Sequence, residues 1–293
     1  MAIGGPARYF VVVKTEAELA AAIQTAKKFK LPWFIVGEGS NLIADDRGYK
    51  GVVIKCQISN LKRQNDKIII GAGYSLLNFI YKANKWGLAG LERMAGRPGT
   101  VGGAIYGCAG AYGQEIKDRL VSVRFYNCKQ FKTISAAECR FGYRTSIFKK
   151  HKEWVITEAE FKLAKGKAGQ LSKISRDIIK LRAVKYKPGL KCPGSFFKNL
   201  KLADMSEKAA ARLTVQTEDS AIKFGKLPSG YLLERVGAKG MREGGVAVAK
   251  HHANLIYNTG RGTALDVKKL STRLKGLVKK KFGIIIDEEV QYL

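Results

Sequence analysis

The chain has 293 residues, of which 46% are hydrophobic, and its 53 Lys and Arg against 24 Asp and Glu give a formal net charge of +29. This length and hydrophobic content allow two domains with real cores and exclude a disordered chain. No run reaches the ~18 apolar residues of a membrane helix, and the N-terminus lacks the basic-then-apolar pattern of a signal peptide.

The first predicted elements form a small lobe, residues 1–54. Thr15 and Glu18 have the spacing of a capping box, and the apolar residues after them recur at helical intervals. β-branched and aromatic runs predict the strands around this helix. The predicted strands are Ala7–Val13, Trp33–Gly37 and Gly51–Lys55.

A second lobe, residues 55–184, is predicted to follow. Ser75 is placed to cap a helix through Trp86, and a glycine-dense tract covers Gly87–Gly113. The other predicted elements are strands at Lys67–Ile70, Leu120–Asn127 and Trp154–Lys162, and a helix at Ser172–Val184.

The Lys-, Pro- and Gly-rich loop Lys185–Pro193 is typical of a domain junction. We predict a third domain, residues 185–285, and a C-terminal strand in residues 286–293 that belongs to the run GIIIDEEVQYL. The predicted elements of this region are helices at Ser206–Leu213 and Ser229–Val236, a strand at Asn254–Tyr257 and a helix from Thr263 to Lys281. Strands and helices mix without regular alternation, which favours the α+β class.

The five cysteines are scattered without a CxxC pair, and the three histidines lack HExxH spacing. This pattern argues against a disulfide framework and against a metal site. We expect a reduced, cytoplasmic protein with no metal.

The positive charge has two interpretations. It is either a footprint for nucleic acid or a solvated surface biased toward anionic ligands. The lysines spread along the whole chain, and no RNP motif, zinc finger or helix-turn-helix stands out. We favour the second interpretation, which leaves the excess of charge without a functional account.

Two glycine-rich segments are candidates for a phosphate or cofactor loop. GEGSNLI, Gly37–Ile43, follows a strand, so its backbone amides could approach a pyrophosphate, although a plain β-turn fits the spacing equally well. In Gly96–Gly113, small residues allow close approach of a flat ligand, and interleaved apolar residues favour a partly buried, ordered loop over a flexible linker.

Charged residues mark two further candidates. Arg144 in FGYRTSIFK lies among aromatic residues, where a guanidinium can stack and still offer a fork to a carboxylate; a surface salt bridge is the alternative. In the terminal strand, alternation places Glu288 on one face and Glu289 on the other. A carboxylate on an apolar face can act as a general acid, whereas a solvent-facing charge is the simpler interpretation.

The segment CPGSFFKN, Cys192–Asn199, places a hydroxyl, a cation and an amide behind a Pro-Gly turn. We expect this turn to expose Ser195 at a loop tip, where the hydroxyl can donate or accept a proton. A loop serine that bonds nearby backbone groups is the alternative.

Taken together and in this order, the motifs resemble the UDP-N-acetylenolpyruvoylglucosamine reductase family of bacterial peptidoglycan synthesis, in its shorter subtype. The resemblance covers nearly the whole chain, and the first motif is entered part-way. Its segments are Ile3–Phe10, Gly37–Leu42, Gly87–Glu92, Gly96–Ala104, Ala109–Gly113, Phe141–Lys149, Gly194–Asn199, Ser229–Gly240, His251–Val267 and Phe282–Val290.

The resemblance implies a two-lobed FAD-binding fold of the vanillyl-alcohol-oxidase type plus a C-terminal α+β substrate-binding domain. It implies that Ser195 is the proton donor, that Arg144 and Glu289 stabilise an enolate-like intermediate, and that Lys198 and Asn199 lie near the substrate diphosphate. The implied FAD-binding residues are Gly37, Gly39, Ser40, Asn41, Leu42, Pro98, Gly99, Thr100, Gly102, Gly103, Gly110, Ala111 and Tyr112.

The implied reaction is the NADPH-dependent reduction of UDP-N-acetylglucosamine enolpyruvate to UDP-N-acetylmuramate. Hydride would pass from NADPH to FAD and on to the methylene carbon, and Ser195 would protonate the adjacent carbon. The implied partners are these small molecules; no membrane or specific nucleic acid is expected, and we expect a monomer.

The chain departs from the family pattern at three positions. Arg97 stands where an apolar residue is usual, Cys108 replaces an Asn, and Thr145 replaces an Asp. These departures leave alternatives open: an inactive homologue, a flavoprotein of the same fold with another substrate, or a basic nucleic-acid-binding protein.

Overall fold

The computed structural model of the chain describes residues 1–187, 189–205, 213, 221–222 and 225–293. Its α-helices are α1 (Glu16–Lys28), α2 (Leu76–Lys85), α3 (Val101–Tyr106), α4 (Ile147–Lys150), α5 (Ala168–Lys185), α6 (Ser229–Arg235) and α7 (Ala264–Phe282). Apart from Leu213, the predicted helix at Ser206–Leu213 lies outside the described residues.

The strands are mostly short, and they are numbered along the chain. They are β1 (Ala7–Val13), β2 (Trp33–Val36), β3 (Leu42–Ile43), β4 (Tyr49–Cys56), β5 (Leu61–Gln64), β6 (Lys67–Gly71), β7 (Leu88–Ala89), β8 (Gly110–Ala111), β9 (Gln114–Glu115), β10 (Leu120–Tyr126), β11 (Phe131–Ser135), β12 (Val155–Lys162), β13 (Ala164–Lys165), β14 (Leu200–Lys201), β15 (Lys226–Leu227), β16 (Arg242–Glu243), β17 (Val246–Ala249), β18 (His252–Asn258) and β19 (Gln291–Tyr292).

The chain forms two compact units. The large unit consists of Ala7–Ser40 and Lys50–Val184, and the small unit of Met1–Pro6, Asn41–Tyr49 and Lys185–Leu293. The chain therefore leaves the large unit at residue 41, contributes the short segment 41–49 to the small unit, and returns to the large unit at residue 50. The four-part division predicted from sequence stays a prediction.

The large unit contains a three-stranded sheet, β1-β4-β2, and a five-stranded antiparallel sheet, β11-β10-β12-β6-β5. Strands β2 and β4 run parallel, with Trp33 opposite Val52. Helix α2 packs on the larger sheet because its apolar residues recur at helical spacing; the ring centroids of Phe79 and Phe161 lie 5.3 Å apart. The Ser75 side chain accepts from the Asn78 N–H, as the predicted cap requires.

The small unit is built around α7 and the antiparallel sheet β16-β17-β18. Thr263 and Asp266 form a reciprocal capping box at the start of α7, and Gly283 ends the helix in the left-handed conformation at φ 70°. The buried stripe of the helix is Val267, Leu270, Leu274 and Val278. Strand β19 pairs in parallel with β3, which fastens segment 41–49 to the C-terminus.

Two local predictions were wrong. The C-terminal strand is confined to Gln291–Tyr292, with one isolated bridge between Phe197 and Glu288, because residues 284–287 follow α7 without a continuous partner strand. The predicted loop after Thr100 is the helix α3, because the Thr100 side chain caps it and Gly102 lets it pack against Ala72. Within the described residues, no helix is both long and apolar enough to cross a bilayer.

Candidate active site

Two glycine-containing loops of the large unit meet each other. The Gly99 N–H donates to the Glu38 carboxylate at 2.9 Å, and the Ser40 hydroxyl lies 3.5 Å from the Pro98 carbonyl oxygen. A Cβ on Gly37 would lie 2.7 Å from Oγ1 of Thr100. The loops predicted from sequence to share one function therefore lie together, in contact too close for a larger residue at position 37.

This pair of loops fits an anionic, flat ligand. Gly99 has φ +116°, a conformation that L side chains rarely adopt, and its N–H donates to an anion, the Glu38 carboxylate. The missing Cβ atoms of Gly37 and Gly99 let the two loops approach each other closely. Backbone amides of glycine-containing loops are donors from which pyrophosphate oxygens can accept.

Three of the predicted cofactor residues have structural partners in this unit. Thr100 is only 7% exposed, and its hydroxyl oxygen accepts from the Gly103 N–H at 3.2 Å. The Gly102 N–H donates to the Ala72 carbonyl at 2.8 Å, and a Cβ on Gly102 would lie 2.8 Å from the Ala72 Cβ. Gly102 is thus required for packing α3, whatever else the segment binds.

The AGAYG segment forms a tight hairpin. Strands β8 and β9 pair antiparallel, and the two turn residues Tyr112 and Gly113 both have positive φ, +50° and +83°. Positive φ at both turn positions is the type I′ geometry that matches strand twist. The hairpin therefore holds Gly110, Ala111 and Tyr112 in a fixed loop of the large unit.

Arg144 is anchored to this hairpin. Its guanidinium donates to the Cys108 carbonyl at 3.2 Å and to the Gly110 carbonyl at 2.9 Å, and it lies 5.1 Å from the centroid of the Tyr143 ring. The Lys149 ammonium donates to the Arg144 carbonyl at 2.8 Å. The predicted stacking of this arginine among aromatic residues is present, and these contacts hold it although Thr145 stands where the family has Asp.

The other two departures lie beside the same hairpin. Arg97 donates to the Gly110 carbonyl at 3.0 Å, so that carbonyl receives two guanidinium groups. Cys108 is fully buried, and burial, with the nearby Glu115 carboxylate, raises the pKa of its thiol to about 11. Cys108 is therefore a neutral packing residue at ordinary pH.

In the small unit, Ser195 is half-buried and has a partner that the sequence did not indicate. Its hydroxyl oxygen lies 2.9 Å from the Tyr186 hydroxyl oxygen. Gly194 before it has φ +92°, which sets the sharp turn that Pro193-Gly194 predicted. The expectation that Ser195 is exposed at a loop tip was wrong, because Tyr186, in the chain before the turn, contacts the serine.

Asn254 fixes the segment that follows Ser195, and sequence reasoning missed it. Its side-chain amide accepts from the Phe197 N–H and donates to the Phe197 carbonyl, both at 2.8 Å, and its own carbonyl accepts from the Phe196 N–H at 3.0 Å. Asn254 is 2% exposed. An amide inside the otherwise apolar strand ANLIY was the signal that could have identified it.

Glu289 is held next to this segment. Its N–H donates to the Phe196 carbonyl at 2.7 Å, and its carbonyl accepts from the Asn41 side chain at 3.0 Å. Asn41 and Leu42, predicted to hold the cofactor with Gly37–Ser40, thus belong to the small unit and pair with the C-terminus. Ser195 and Glu289 come from adjacent, bonded segments of one unit.

Lys198 and Asn199 continue the same segment. The Lys198 N–H donates to the Asp287 carbonyl at 2.8 Å, and its ammonium lies 3.8 Å from the Asp287 carboxylate. The Ser229 hydroxyl donates to the Lys198 carbonyl, and the Asn199 side-chain oxygen accepts from the Ser229 N–H at 3.4 Å. These bonds fix the backbone on which both side chains stand.

Glu288, on the buried face, is bound to helix α7. It accepts from the Ser271 hydroxyl and pairs with the Lys275 ammonium at 2.8 Å. Burial acts to raise its pKa, but the bonds from Lys275 and Ser271 outweigh burial, so the pKa of Glu288 lies below its usual value. Glu288 is therefore a carboxylate anchor and not the general acid that an apolar face suggested.

The structure thus assembles two groups of predicted site residues, each within its own unit. The large unit brings Gly37, Gly39 and Ser40 to Pro98–Thr100 and Arg144 to Gly110; the small unit brings Ser195, Lys198 and Asn199 to Glu289. In the described residues, no three His, Cys, Asp or Glu side chains could together hold a metal ion.

Comparison with known proteins defines the class of protein first. Residues 7–129 match the family model of an FAD-binding domain, so the loops described above belong to a flavoprotein. Residues 186–293 match the C-terminal domain of UDP-N-acetylenolpyruvoylglucosamine reductase. The predicted α+β architecture, an FAD-binding fold followed by a C-terminal domain, is confirmed.

The curated relatives name the family. The UDP-N-acetylenolpyruvoylglucosamine reductase of Solibacter usitatus is 43% identical over 99% of this chain and 92% of its own, and that of Carboxydothermus hydrogenoformans is 34% identical over 99% and 89%. The chain belongs to the UDP-N-acetylenolpyruvoylglucosamine reductase family, a family of FAD-dependent oxidoreductases. The crystal structure of the reductase from Thermus caldophilus matches with a TM-score of 0.72 at 27% identity, covering 96% of this chain and 91% of that one.

Proposed function

We propose that this chain catalyses the NADPH-dependent reduction of UDP-N-acetylglucosamine enolpyruvate to UDP-N-acetylmuramate. The observation that carries the proposal is the bond between the Glu289 N–H and the Phe196 carbonyl, 2.7 Å, which joins the GSFFKN and DEEV motifs. An FAD-binding domain alone would fit many oxidoreductions. This bond joins the segment that carries Ser195 to the segment that carries Glu289. In a chain similar to a reductase over 99% of its length, it favours this reaction over that of a flavoprotein with another substrate.

The loops of the large unit would hold FAD. Gly37, Gly39 and Ser40 would offer backbone N–H donors to the diphosphate. Pro98 and Gly99 lie against Ser40 and Glu38 and complete this pair of loops. The hairpin that contains Gly110–Tyr112 belongs to the same unit and would contact the cofactor. The chemistry that bound FAD would supply is the transfer of a hydride between NADPH and the enolpyruvyl group.

Arg144 would stabilise the charge that the substrate gains. Hydride addition at the methylene carbon pushes electron density into the carboxylate, and a planar guanidinium can meet a carboxylate through two parallel hydrogen bonds. The Cys108 and Gly110 carbonyls orient this guanidinium in advance. Preorganised donors are worth most because they need no rearrangement during the reaction.

Ser195 would donate the proton to the carbon next to the methylene carbon. Its position is fixed by Gly194 and by the bonds of Phe196 and Phe197 to Asn254. Glu289 would help to stabilise the intermediate. Its backbone is held by hydrogen bonds to Phe196 and Asn41. Lys198 and Asn199 would contact the substrate diphosphate, for which a cation and an amide are suitable partners.

Two broader expectations complete the proposal. We infer that the protein is a monomer and works in the cytoplasm on small-molecule partners. NADPH and the UDP-sugar are anions, which the net charge of +29 would attract. The nucleic-acid interpretation of this charge has no support from the family that the chain belongs to.

The test is an anaerobic titration followed in the visible spectrum. NADPH is added to the purified protein, then the enolpyruvyl UDP-sugar. We expect a flavin spectrum that bleaches with NADPH and returns with the sugar. A protein that takes up no FAD, or one that bleaches and is not reoxidised by the sugar, would overturn the proposal.

A variant separates the two half-reactions. Ser195→Ala should leave bleaching by NADPH intact and slow reoxidation by the sugar by ~10²–10⁴-fold, the range for loss of a general acid. Ser172→Ala, on α5 of the large unit, serves as the control and should behave as the unaltered chain. Unchanged reoxidation in Ser195→Ala would remove Ser195 from the mechanism.

A further inference from the structure

The contact between Tyr186 and Ser195 has no role in the reaction as described so far. Their hydroxyl oxygens lie 2.9 Å apart, within the range of an O–H···O hydrogen bond, and both residues are half-buried. Tyr186 lies in the loop after α5, nine positions before the serine. The pairing depends on the fold of this loop, which neither the local sequence nor the GSFFKN motif indicates.

The geometry solves a problem that a serine proton donor faces. A serine hydroxyl has one proton, and its oxygen can accept two hydrogen bonds. If the serine donated to Tyr186, its proton would point away from a substrate. If Tyr186 donates to the serine, the serine proton is free to face the substrate carbon while the oxygen stays bonded.

The same bond supplies a proton at the right moment. A serine that gives up its proton becomes an alkoxide, which is a strong base, whereas a phenol is a much stronger acid than an alcohol. The Tyr186 oxygen lies 2.9 Å from the serine oxygen, so the phenolic proton can move across this bond as the serine proton leaves.

Two further contacts hold the segment that carries Tyr186. The Lys185 ammonium lies 5.2 Å from the centroid of the Tyr186 ring, and Lys187 and Lys191 follow in the same loop. The Lys185 carbonyl lies 2.9 Å from Nε2 of His251, which anchors this part of the loop. These contacts hold the Tyr186 side chain beside Ser195.

We propose that Tyr186 is a positioning residue that orients the Ser195 hydroxyl and replaces its proton during reduction of the enolpyruvyl group. The step balances: the substrate carbon gains the Ser195 proton, Ser195 gains the Tyr186 proton, and the phenolate recovers a proton from water. The two electrons come only from the hydride. This inference rests on the function proposed above.

The test is Tyr186→Phe, studied as the flavin enzyme in two anaerobic rapid-mixing experiments. Bleaching by NADPH should keep its rate. Reoxidation by the enolpyruvyl UDP-sugar should slow by roughly 10- to 100-fold, less than the loss expected for Ser195→Ala, because the serine still has one proton to give. Tyr257→Phe, a half-buried tyrosine of β18 in the same unit, is the matched control and should keep both rates.

A second readout separates proton supply from a merely structural effect. In mixtures of H₂O and D₂O, reoxidation of the unaltered enzyme should depend on deuterium content along a curve, because two protons move together. In Tyr186→Phe the dependence should become linear, with one proton moving. The dissociation constant of the sugar from the oxidised variant, measured by calorimetry, should stay within about twofold of that of the unaltered enzyme. The thermal unfolding midpoint of the variant should lie within the scatter of the control.

The outcomes distinguish this inference from the proposed function. If the unaltered enzyme is not reoxidised by the sugar at all, the proposed function fails first. If it is reoxidised, and Tyr186→Phe matches it in rate and in the shape of the deuterium dependence, the role of Tyr186 is wrong while the function stands. A slow variant with an unchanged curved dependence would also overturn the proton-supplying role.

Discussion

Arg144 shows how a single residue can combine a strained backbone with a fixed side chain. Its φ is +57°, a left-handed conformation that costs a non-glycine residue on the order of 1–3 kcal/mol. The reversed turn between Gly142 and Thr145 imposes this conformation. Strain of this kind persists when surrounding contacts over-determine it, and here the Cys108 and Gly110 carbonyls, the Tyr143 ring and Lys149 do so.

Arg144→Lys tests the planar head group without changing the backbone, since lysine at this position would carry the same strain. An ammonium cannot bond a carboxylate in a fork or reach both carbonyls in the same way. We expect reoxidation by the enolpyruvyl UDP-sugar to slow by ~10²–10³-fold, with bleaching by NADPH unchanged. Arg140→Lys, at an exposed position of the same segment, is the control; equal losses in both variants would contradict the role.

His252 is a residue whose protonation depends on folding. Burial, with the positive charges of Lys185, His251 and Lys239, lowers its pKa to about 3, and its Nε2 is buried without a hydrogen-bond partner in the described part of the chain. In the unfolded chain a histidine has a pKa near ~6.5. Between these values the unfolded chain binds one more proton than the folded protein.

The consequence is a rise of stability with pH between about 3 and about 6.5, and no contribution of His252 to the slope above that range. His252→Gln removes the titrating group. We expect its unfolding free energy, from urea titrations at several pH values, to rise less steeply than that of the unaltered chain, by up to ~1.4 kcal/mol per pH unit in this window. Parallel curves would show that His252 takes up its proton in the folded protein as well.

At the scale of elements, three separate sets of hydrogen bonds hold segment 41–49 in the small unit. β3 pairs with β19, Asn41 bonds the Glu289 carbonyl, and the Asp46 carboxylate accepts from the Ala264 N–H at 2.7 and 3.0 Å. Asp46 thus adds a charged acceptor to the start of α7, beside the capping box of Thr263. A negative charge there also interacts favourably with the helix dipole.

Asp46→Ala is expected to lower the unfolding free energy by about 1 kcal/mol, because the first amides of α7 lose an acceptor. Urea unfolding measures the loss. The matched control is Asp45→Ala, which removes a bond to Arg47, a side chain that is 87% exposed, and should cost markedly less. A loss at position 45 equal to that at position 46 would mean that α7 does not depend on Asp46.

These elements also show what the sequence could and could not predict. Helices α2 and α7 were predicted close to their observed limits, and α1 was predicted at its start, because caps and apolar spacing are local signals. The sequence did not predict that segment 41–49 belongs to the small unit, because the pairing of β3 with a strand ~250 residues away leaves no local pattern.

The site divides in the same way. Ser195, Arg144 and Glu289 could be named because their motifs resemble a family. Tyr186 and Asn254 could not, since what matters is a contact made by folding: a hydroxyl 2.9 Å from the serine, and an amide bonded twice to Phe197. Sequence motifs identified the reacting groups, whereas the structure was needed for the residues that hold them.

For the molecule as a whole, the net charge of +29 is the property most accessible to measurement. Part of it is placed where it stabilises structure, such as Lys279, Lys280 and Lys281 in the last turn of α7, where cations interact favourably with the helix dipole. Most of it nevertheless creates a positive field around the protein, which attracts small anions before any specific contact is made.

This field predicts a salt-dependent encounter with NADPH. Raising ionic strength from about 0.01 M to about 1 M shortens the Debye length from about 30 Å to about 3 Å, which removes long-range attraction. We expect the association rate of NADPH, from rapid-mixing measurements, to fall by at least about tenfold, within the range known for electrostatic steering. Dissociation should change much less, because short contacts are poorly screened.

A neutral dihydronicotinamide riboside, which lacks the phosphates, is the control, and its rate of flavin reduction should be nearly independent of salt. If both reductants respond alike, the charge does not steer the cofactor, and its excess over what a small anionic ligand requires would have to be explained by another partner.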